Sequence, residues 1–375
     1  MASLTQTSIS ARKAIRYFIY FVVIVIIIRI SYSVVTYLYE RFKPNPTPPP
    51  TLEFGNLPKL PFPDTNNDSY NNLSYELDIL DESTKIFPGQ VDVFFMPKTA
   101  SGIQVLDQGK GKAQRLGFSP DGIELVETVY RFQAINKPAS LTLNLVTGEF
   151  SIAYDYQLSP QVFSTPPIVD AAAVTRIKEY LTNAGTLPAD IRQGATSQEY
   201  LAVSQGTLVP VASLSQANAV KVNLFRKAPE STTKAAATPG EEPPSAESKE
   251  TLPTVTETFN EANIWFVLAN NTGEIIRGEY KYFPIEAGTS GTYPIKTFDE
   301  AWEEFRNGKG YLANPGSFQK GETVFITKTY LAYYDPGKYY EFFQPVIVFE
   351  ADNGFAGYVP AVSNEYYDKE NQEGE

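Results

Sequence analysis

Four short clusters in this chain carry the residue types that chemistry uses. Ser231-Thr232-Thr233-Lys234 has the spacing in which a lysine activates a serine nucleophile. That chemistry also needs Ser-Asp-Asn and Lys-Thr-Gly partners, and the chain contains neither. Asp64, Asn66 and Asp68 fill the first three ligand positions of a calcium loop, but Ser69 stands at the turn glycine and Tyr75 at the bidentate glutamate. A polar loop is the better expectation there. Asp299, Glu300, Glu303 and Glu304 crowd one short stretch, whereas a glycosidase sets its two carboxylates across a cleft. They read as the solvated, negatively charged start of a helix. Gly109-Lys110-Gly111-Lys112 lacks the context of a phosphate loop.

Two absences narrow the chemistry further. The chain has no cysteine, which removes disulfides, thiolate nucleophiles and sulfur metal sites. It has no histidine either, which removes Ser-His-Asp triads, His-ligated zinc and the usual neutral-pH proton shuttle. We therefore expect no enzymatic activity, no catalytic residue, no cofactor and no metal site.

The elements that would position any site begin with a membrane anchor. Tyr17 to Tyr39 contains fourteen Val, Ile, Leu or Phe residues and one charge, Arg29. As a helix these positions span roughly 35 Å, enough to cross a hydrocarbon core of about 30 Å. Arg12, Lys13 and Arg16 precede the span, so residues 1–16 are expected in the cytoplasm and the rest of the chain outside the cell. The span is too long for a cleaved signal and should be retained. Residues 40–74 follow, with prolines at 44, 46, 48, 49, 50, 58, 61 and 63. This density favours extended polyproline conformation and reads as a semi-rigid stalk.

Residues 1–43 carry a net charge of +5, so the whole-chain value of -12 leaves -17 for residues 44–375. A domain this acidic repels phosphate backbones, and nucleic acid is not an expected partner. Past the stalk, one helix followed by antiparallel strands recurs. A first unit, 75–160, has a weak helix ending near Leu116-Gly117, then strands at 123–132, 139–146 and 150–156. A middle unit, 165–285, opens with Thr165-Pro166 as helix cap, and Val169, Ala173, Ile177 and Leu181 share one face before Gly185. Its strands should lie at 200–203, 207–211, 220–225, 264–268 and 274–283. Residues 228–256, proline-rich and without aromatics, should be a disordered insertion or a domain boundary.

The last unit, 290–364, is the clearest. Thr297-Phe298-Asp299-Glu300 is a capping box, and Phe298, Trp302 and Phe305 fall on one face before Gly308. Strands are expected at 322–334, 339–350 and 354–362, divided by Asp335-Pro336-Gly337 and Asp352-Asn353-Gly354. An acidic tail, 365–375, ends the chain. The predicted fold is thus α+β: a transmembrane helix, then repeated α-β-β-β units with antiparallel sheets.

Ala301-Trp302-Glu303-Glu304-Phe305, Leu331-Ala332-Tyr333-Tyr334 and Phe343-Gln344-Pro345-Val346-Ile347-Val348-Phe349-Glu350 resemble the layout of PepSY-type and YycI-type extracytoplasmic domains. The resemblance covers Phe298 to Val362, and more faintly Gly111 to Tyr156. It implies a non-enzymatic, single-pass envelope protein that binds and restrains another protein, such as a sensor kinase or a protease. No shared catalytic motif exists to carry over.

Three residues are the expected partner contacts. Arg29 would either snorkel to the headgroups or pair with an acidic residue in another transmembrane helix. Tyr333 and Tyr340 belong to a run of tyrosines at 330, 333, 334, 339, 340 and 358, some of which should face outward for protein or glycan. Asn67, Asn72 and Asn270 begin N-x-S/T sequons. The expected partners are the lipid bilayer and another membrane or envelope protein. The alternative is a structural or adhesive surface protein that binds cell wall or glycan.

Overall fold

The structure is a computed structural model, and it describes residues 4–41, 49–63, 73–81, 85–99, 102, 104–233 and 248–368. The Asp64–Asp68 cluster, the sequons at Asn67 and Asn72, and Lys234 lie outside the described residues. Contacts divide the chain into two units, one containing the N-terminal helix and one containing the folded domain from Pro49 onward.

The first unit is the helix Leu4–Arg41. Within it, Arg16–Tyr37 is apolar and wholly unburied, and its 22 residues suffice to cross a membrane. A helix of this kind serves as a single-pass anchor or as a signal. Thr36 turns its hydroxyl back onto the carbonyl of Tyr32 at 2.9 Å, so its one polar group is satisfied within the helix.

The folded domain is built on a nine-stranded antiparallel sheet. From one edge its strands are Ile123–Val126, Val129–Gln133, Ala139–Asn144, Phe150–Tyr154, Glu274–Tyr280, Ile264–Ala269, Ala219–Leu224, Thr196–Ser204 and Thr207–Pro210. Helices Val105–Arg115 and Asp170–Asn183 cover one face, burying Ala113, Ala173, Ile177 and Leu181 completely against Leu141, Val222 and Phe266. The predicted first and middle units are therefore not separate domains. Phe150 pairs with Tyr280, and this seam joins their strands into one sheet. Such a pairing leaves no mark in local periodicity, which is why two units were expected.

Local details explain both helices. Gly109 lies where a Cβ would come within 2.2 Å of Leu145 Cδ2, so the glycine that weakens the helix also lets it press against the sheet. Helix Asp170–Asn183 does not start at Thr165-Pro166. Its N-cap is Val169, and the Thr165 hydroxyl accepts from the amide of Asn271 instead. It ends as expected: Gly185, at φ +70°, donates to Thr182 O, and Thr186 donates to Leu181 O, a Schellman closure.

A second sheet is centred on the long strand Thr323–Asp335. Pro345–Ala351, Ala356–Pro360 and Tyr311–Asn314 extend it antiparallel, while Ser74–Leu77 and Thr254–Thr256 lie parallel along its other edge. Helix Phe298–Glu304 packs on one face through Phe298, Trp302 and the following Phe305, whose ring stacks on Phe349 at 4.8 Å. The capping box is complete: Glu300 N donates to Thr297 Oγ1, and Thr297 N donates to Glu300 Oε2 at 2.8 Å. A three-stranded sheet of Glu286–Pro294, Gln90–Phe95 and Phe342–Phe343 completes the domain.

Three predicted boundaries change. The 40–74 stalk is corrected, because Thr51–Pro63 belongs to the folded domain. Leu57 is fully buried, its amide donates to Tyr366 O at 2.7 Å, and Thr51 and Thr292 exchange backbone-to-hydroxyl bonds of 2.8 and 3.0 Å. Proline does set an extended conformation here, but the Leu and Phe residues between the prolines bury it. The 228–256 insertion is corrected at its flanks. Ala228, Ser231, Leu252 and Val255 are buried, Ser231–Thr233 pairs with Ser248–Glu250, and residues 234–247 lie outside the described residues. The acidic tail begins later than 365, since Tyr367 is buried and bridged to Leu57.

Candidate binding groove

Alternation along Thr323–Asp335 decides what each tyrosine does. A register shift between Ile326 and Lys328 switches parity, so Leu331 and Tyr333 join Val324 and Ile326 on the helix-covered face. Tyr333 is fully buried, stacks on Phe343 at 4.8 Å, and donates its hydroxyl to Asp92 O at 2.7 Å. The expectation that Tyr333 contacts a partner is thereby corrected: it is core. Its neighbours Tyr330, Ala332 and Tyr334 face the other way.

That other face is a tyrosine-lined groove. Tyr311, Tyr330, Tyr334 and Tyr358 stand around Val346, Val348 and Ala356. Residues 57–63, Leu-Pro-Lys-Leu-Pro-Phe-Pro, lie along it as a strap. Phe62 stacks on Tyr311 with centroids 4.9 Å apart and an 8° interplanar angle, and meets Tyr334 edge-on at 4.9 Å. Leu60 is buried beside them. The strap backbone is held at two carbonyls: Gln344 Nε2 donates to Pro58 O at 2.9 Å, and the Tyr340 hydroxyl donates to Lys59 O. Tyr340 is thus half-buried and engaged with its own chain.

Burial keeps these phenols protonated. It pushes Tyr311 up to about 12, helped by Glu257, and raises Tyr334, Tyr340 and Tyr358 further above the ordinary phenol value. Tyr311 uses its proton on Glu257 O at 2.8 Å, and Tyr330 donates to Glu350. Among the described residues, the hydroxyls of Tyr334 and Tyr358 find no hydrogen-bond partner. Beside the groove, Tyr330, Glu350, Val255, Phe259 and Asn260 help to line a cavity of about 430 Å³.

No family model, curated protein or solved structure matches this chain.

Arg226 helps to line the same cavity, and sequence reasoning missed it, because it falls between the strand at 220–225 and the segment 228–256 with no local signal of its partners. It is buried, with Nε donating to Asp335 Oδ2 at 2.9 Å and Nη2 to Phe283 O at 2.8 Å. Asp190 Oδ2 lies 3.3 Å from Nη1, and the guanidinium sits 4.6 Å over the Tyr282 ring. Burial opposes its charge, but Asp335 and Asp190 outweigh burial and hold its pKa above the ordinary value. This knot ties the nine-stranded sheet to the second sheet.

The remaining residues singled out in the sequence are placed as follows. Arg29 is on the exposed surface of the apolar helix. Ser231 is buried and its hydroxyl accepts from the Asp92 amide at 3.3 Å. Glu300 caps its helix, Glu304 pairs with the buried Lys296 at 2.7 Å, and Glu303 pairs with Arg306 at 2.7 Å. Asn270 Oδ1 accepts from Thr272 and closes a turn.

Proposed function

We propose that this chain is a membrane-anchored, extracytoplasmic protein-binding module that regulates or scaffolds another envelope protein. The observation that carries this reading is the tyrosine-lined groove, which already holds an extended segment by ring stacking and carbonyl acceptance. Those are the contacts that peptide-recognition surfaces use. The apolar helix supplies the anchor, with the N-terminus in the cytoplasm. We read the C-terminal part, with helix Phe298–Glu304 and the antiparallel strands after it, as PepSY-like.

The test has two arms in native membranes. Protease added outside should remove the domain after Pro50 and spare an N-terminal tag. Photo-crosslinkers placed at exposed positions such as Tyr339 and Ile123, and at Arg29 for a helix partner, should trap one defined protein in stoichiometric yield. Adducts limited to lipid, or none, would overturn the binding role.

A further inference from the structure

The charge inside the apolar helix has no answer within that helix. Leu4–Arg41 holds a single acidic residue, Glu40, eleven positions and about 16 Å beyond Arg29. The segment long and apolar enough to cross a membrane runs from Arg16 to Tyr37, which sets the depth of Arg29. Tyr37 lies eight positions on, about 12 Å along the axis, and Arg16 lies thirteen positions back, about 20 Å. Arg29 therefore stands within about 4 Å of the middle of the span.

Snorkelling does not bring it to water from there. A helical Cα–Cβ bond tilts toward the helix N-terminus, so the Arg29 side chain leaves the backbone toward Arg16, the more distant end. To reach the nearer end it would have to turn back against that tilt, over a distance longer than its own stem.

The surroundings of Arg29 are one-sided. Arg29, Tyr32, Ser33, Thr36 and Tyr37 share one side of the helix, whereas Ile24, Ile27, Ile28 and Val35 lie on the other. Arg29, Ser33 and Tyr37, spaced by four, line one shallow groove with Ile30 and Val34. The small Ser33 side chain lets a second helix approach closely beside the guanidinium. Lipid tails answer nothing on that side, because they carry neither an acceptor nor a charge. A second copy of this helix would bring arginine to arginine, and like charges in a low dielectric repel strongly. A carboxylate supplies both the opposite charge and the planar pair of acceptors that a guanidinium fits.

We propose that the Arg29, Ser33 and Tyr37 side of the anchor packs against a transmembrane helix of the partner protein that carries an aspartate or glutamate near the bilayer centre. This rests on the anchored, protein-binding reading and names the partner's chemistry. Recognition then begins in the membrane, and the folded domain works on that partner at the high local concentration the paired helices impose.

The test places the full chain, with a donor fluorophore at its N-terminus, in neutral phosphatidylcholine vesicles and adds acceptor-labelled poly-leucine transmembrane helices. One helix carries a central aspartate. Its control carries asparagine, which keeps the hydrogen bonds without the charge. At pH 8 the wild type should bind the aspartate helix about tenfold more tightly than the asparagine helix. Arg29→Leu, which removes an insertion cost and so stays inserted, should bind the two alike. Equal binding by the wild type overturns the proposal, and so does a preference that persists in Arg29→Leu.

Carbonate extraction of the same vesicles separates the two levels. A chain stripped from the bilayer contradicts the anchor and the proposal together, whereas an inserted chain that ignores the aspartate contradicts the pairing alone. In native membranes a photo-crosslinker at Ser33 should trap protein and one at Ile27 should trap lipid. Lipid adducts from both positions would overturn the proposal.

Discussion

Arg226 Nε donates to Asp335 Oδ2 at 2.9 Å across 109 positions of sequence, and both side chains are out of solvent. Removing one partner of such a pair strands the other charge. Arg226→Ala should cost about 3–5 kcal/mol in urea unfolding, with Asp335→Ala similarly damaging. Arg226→Met with Asp335→Leu should recover much of the loss, because the desolvation cost disappears with the charges. A double variant no better than the singles would show that the hydrogen-bond network, including Phe283 O, carries the stability.

Leu57 is the point where the strap becomes core. Leu57→Ala should cost about 2–5 kcal/mol, the range for a fully enclosed leucine. Were the segment a free spacer, the melting transition of the variant would coincide with that of the wild type.

Tyr333 and Tyr340 should part company on substitution. Tyr333→Ala removes a stacked core ring and should cost about 3–5 kcal/mol. Tyr340→Phe removes one hydrogen bond and should cost about 0.5–1.5 kcal/mol. Similar losses at the two positions would mean that the faces of the strand have been assigned wrongly.

Glu300 contributes stability that acid removes. Its carboxylate accepts from the Thr297 amide and hydroxyl, and these bonds, together with nearby Lys296, hold its pKa below the ordinary carboxylate value. A depressed pKa means that the contribution is full above the unfolded value and vanishes as pH falls through the folded one. Thr297→Ala should therefore cost about 1 kcal/mol at neutral pH, and less in acid once Glu300 is protonated. Unfolding curves at pH 7 and pH 3 provide the check.

Lys112 gives an alkaline counterpart with the same sign of slope. Burial, with Arg115 nearby, lowers its pKa to about 8, although its Nζ donates to Gly148 O at 2.6 Å and lies over Phe150 and Tyr280. Between pH 8 and the ordinary lysine value, the unfolded chain holds a proton that the folded chain has released, so stability should rise with pH in that window. Lys112→Met should abolish the rise. If the slope persists in the variant, another group is responsible.

The sequence resolved what is periodic and local. Ala173, Ile177 and Leu181 lie on the buried stripe their spacing demands, and the Thr297 box caps its helix as read. What escaped was non-local. The seam between Phe150 and Tyr280, the parallel strands beside Thr323–Asp335 and the Arg226 knot each join segments with no shared local signal. Proline density misled for a related reason: it reports backbone conformation, while Leu57 and Phe62 decide whether that extended backbone is buried. The tyrosine run was legible as strand with one face inward and one outward, but its parity was not. The register shift after Ile326 reverses alternation, sending Tyr333 inward and Tyr334 toward the groove.

The parallel pairing of Ser74 with Thr323 sets an order of events during synthesis. Ser74 emerges first and its partner follows 249 positions later, so at about 5–20 residues per second the early strand waits roughly 12–50 s. The nine-stranded sheet needs nothing beyond Tyr280 and can close during that interval, whereas Ser74–Leu77 and Thr254–Thr256 remain unpaired until Asp335 has been made, and the strap until Tyr340, Gln344 and Tyr366 follow. A nascent chain stalled shortly after Tyr280 would thus present these three segments together, which makes that stage the natural point for a chaperone to hold the protein.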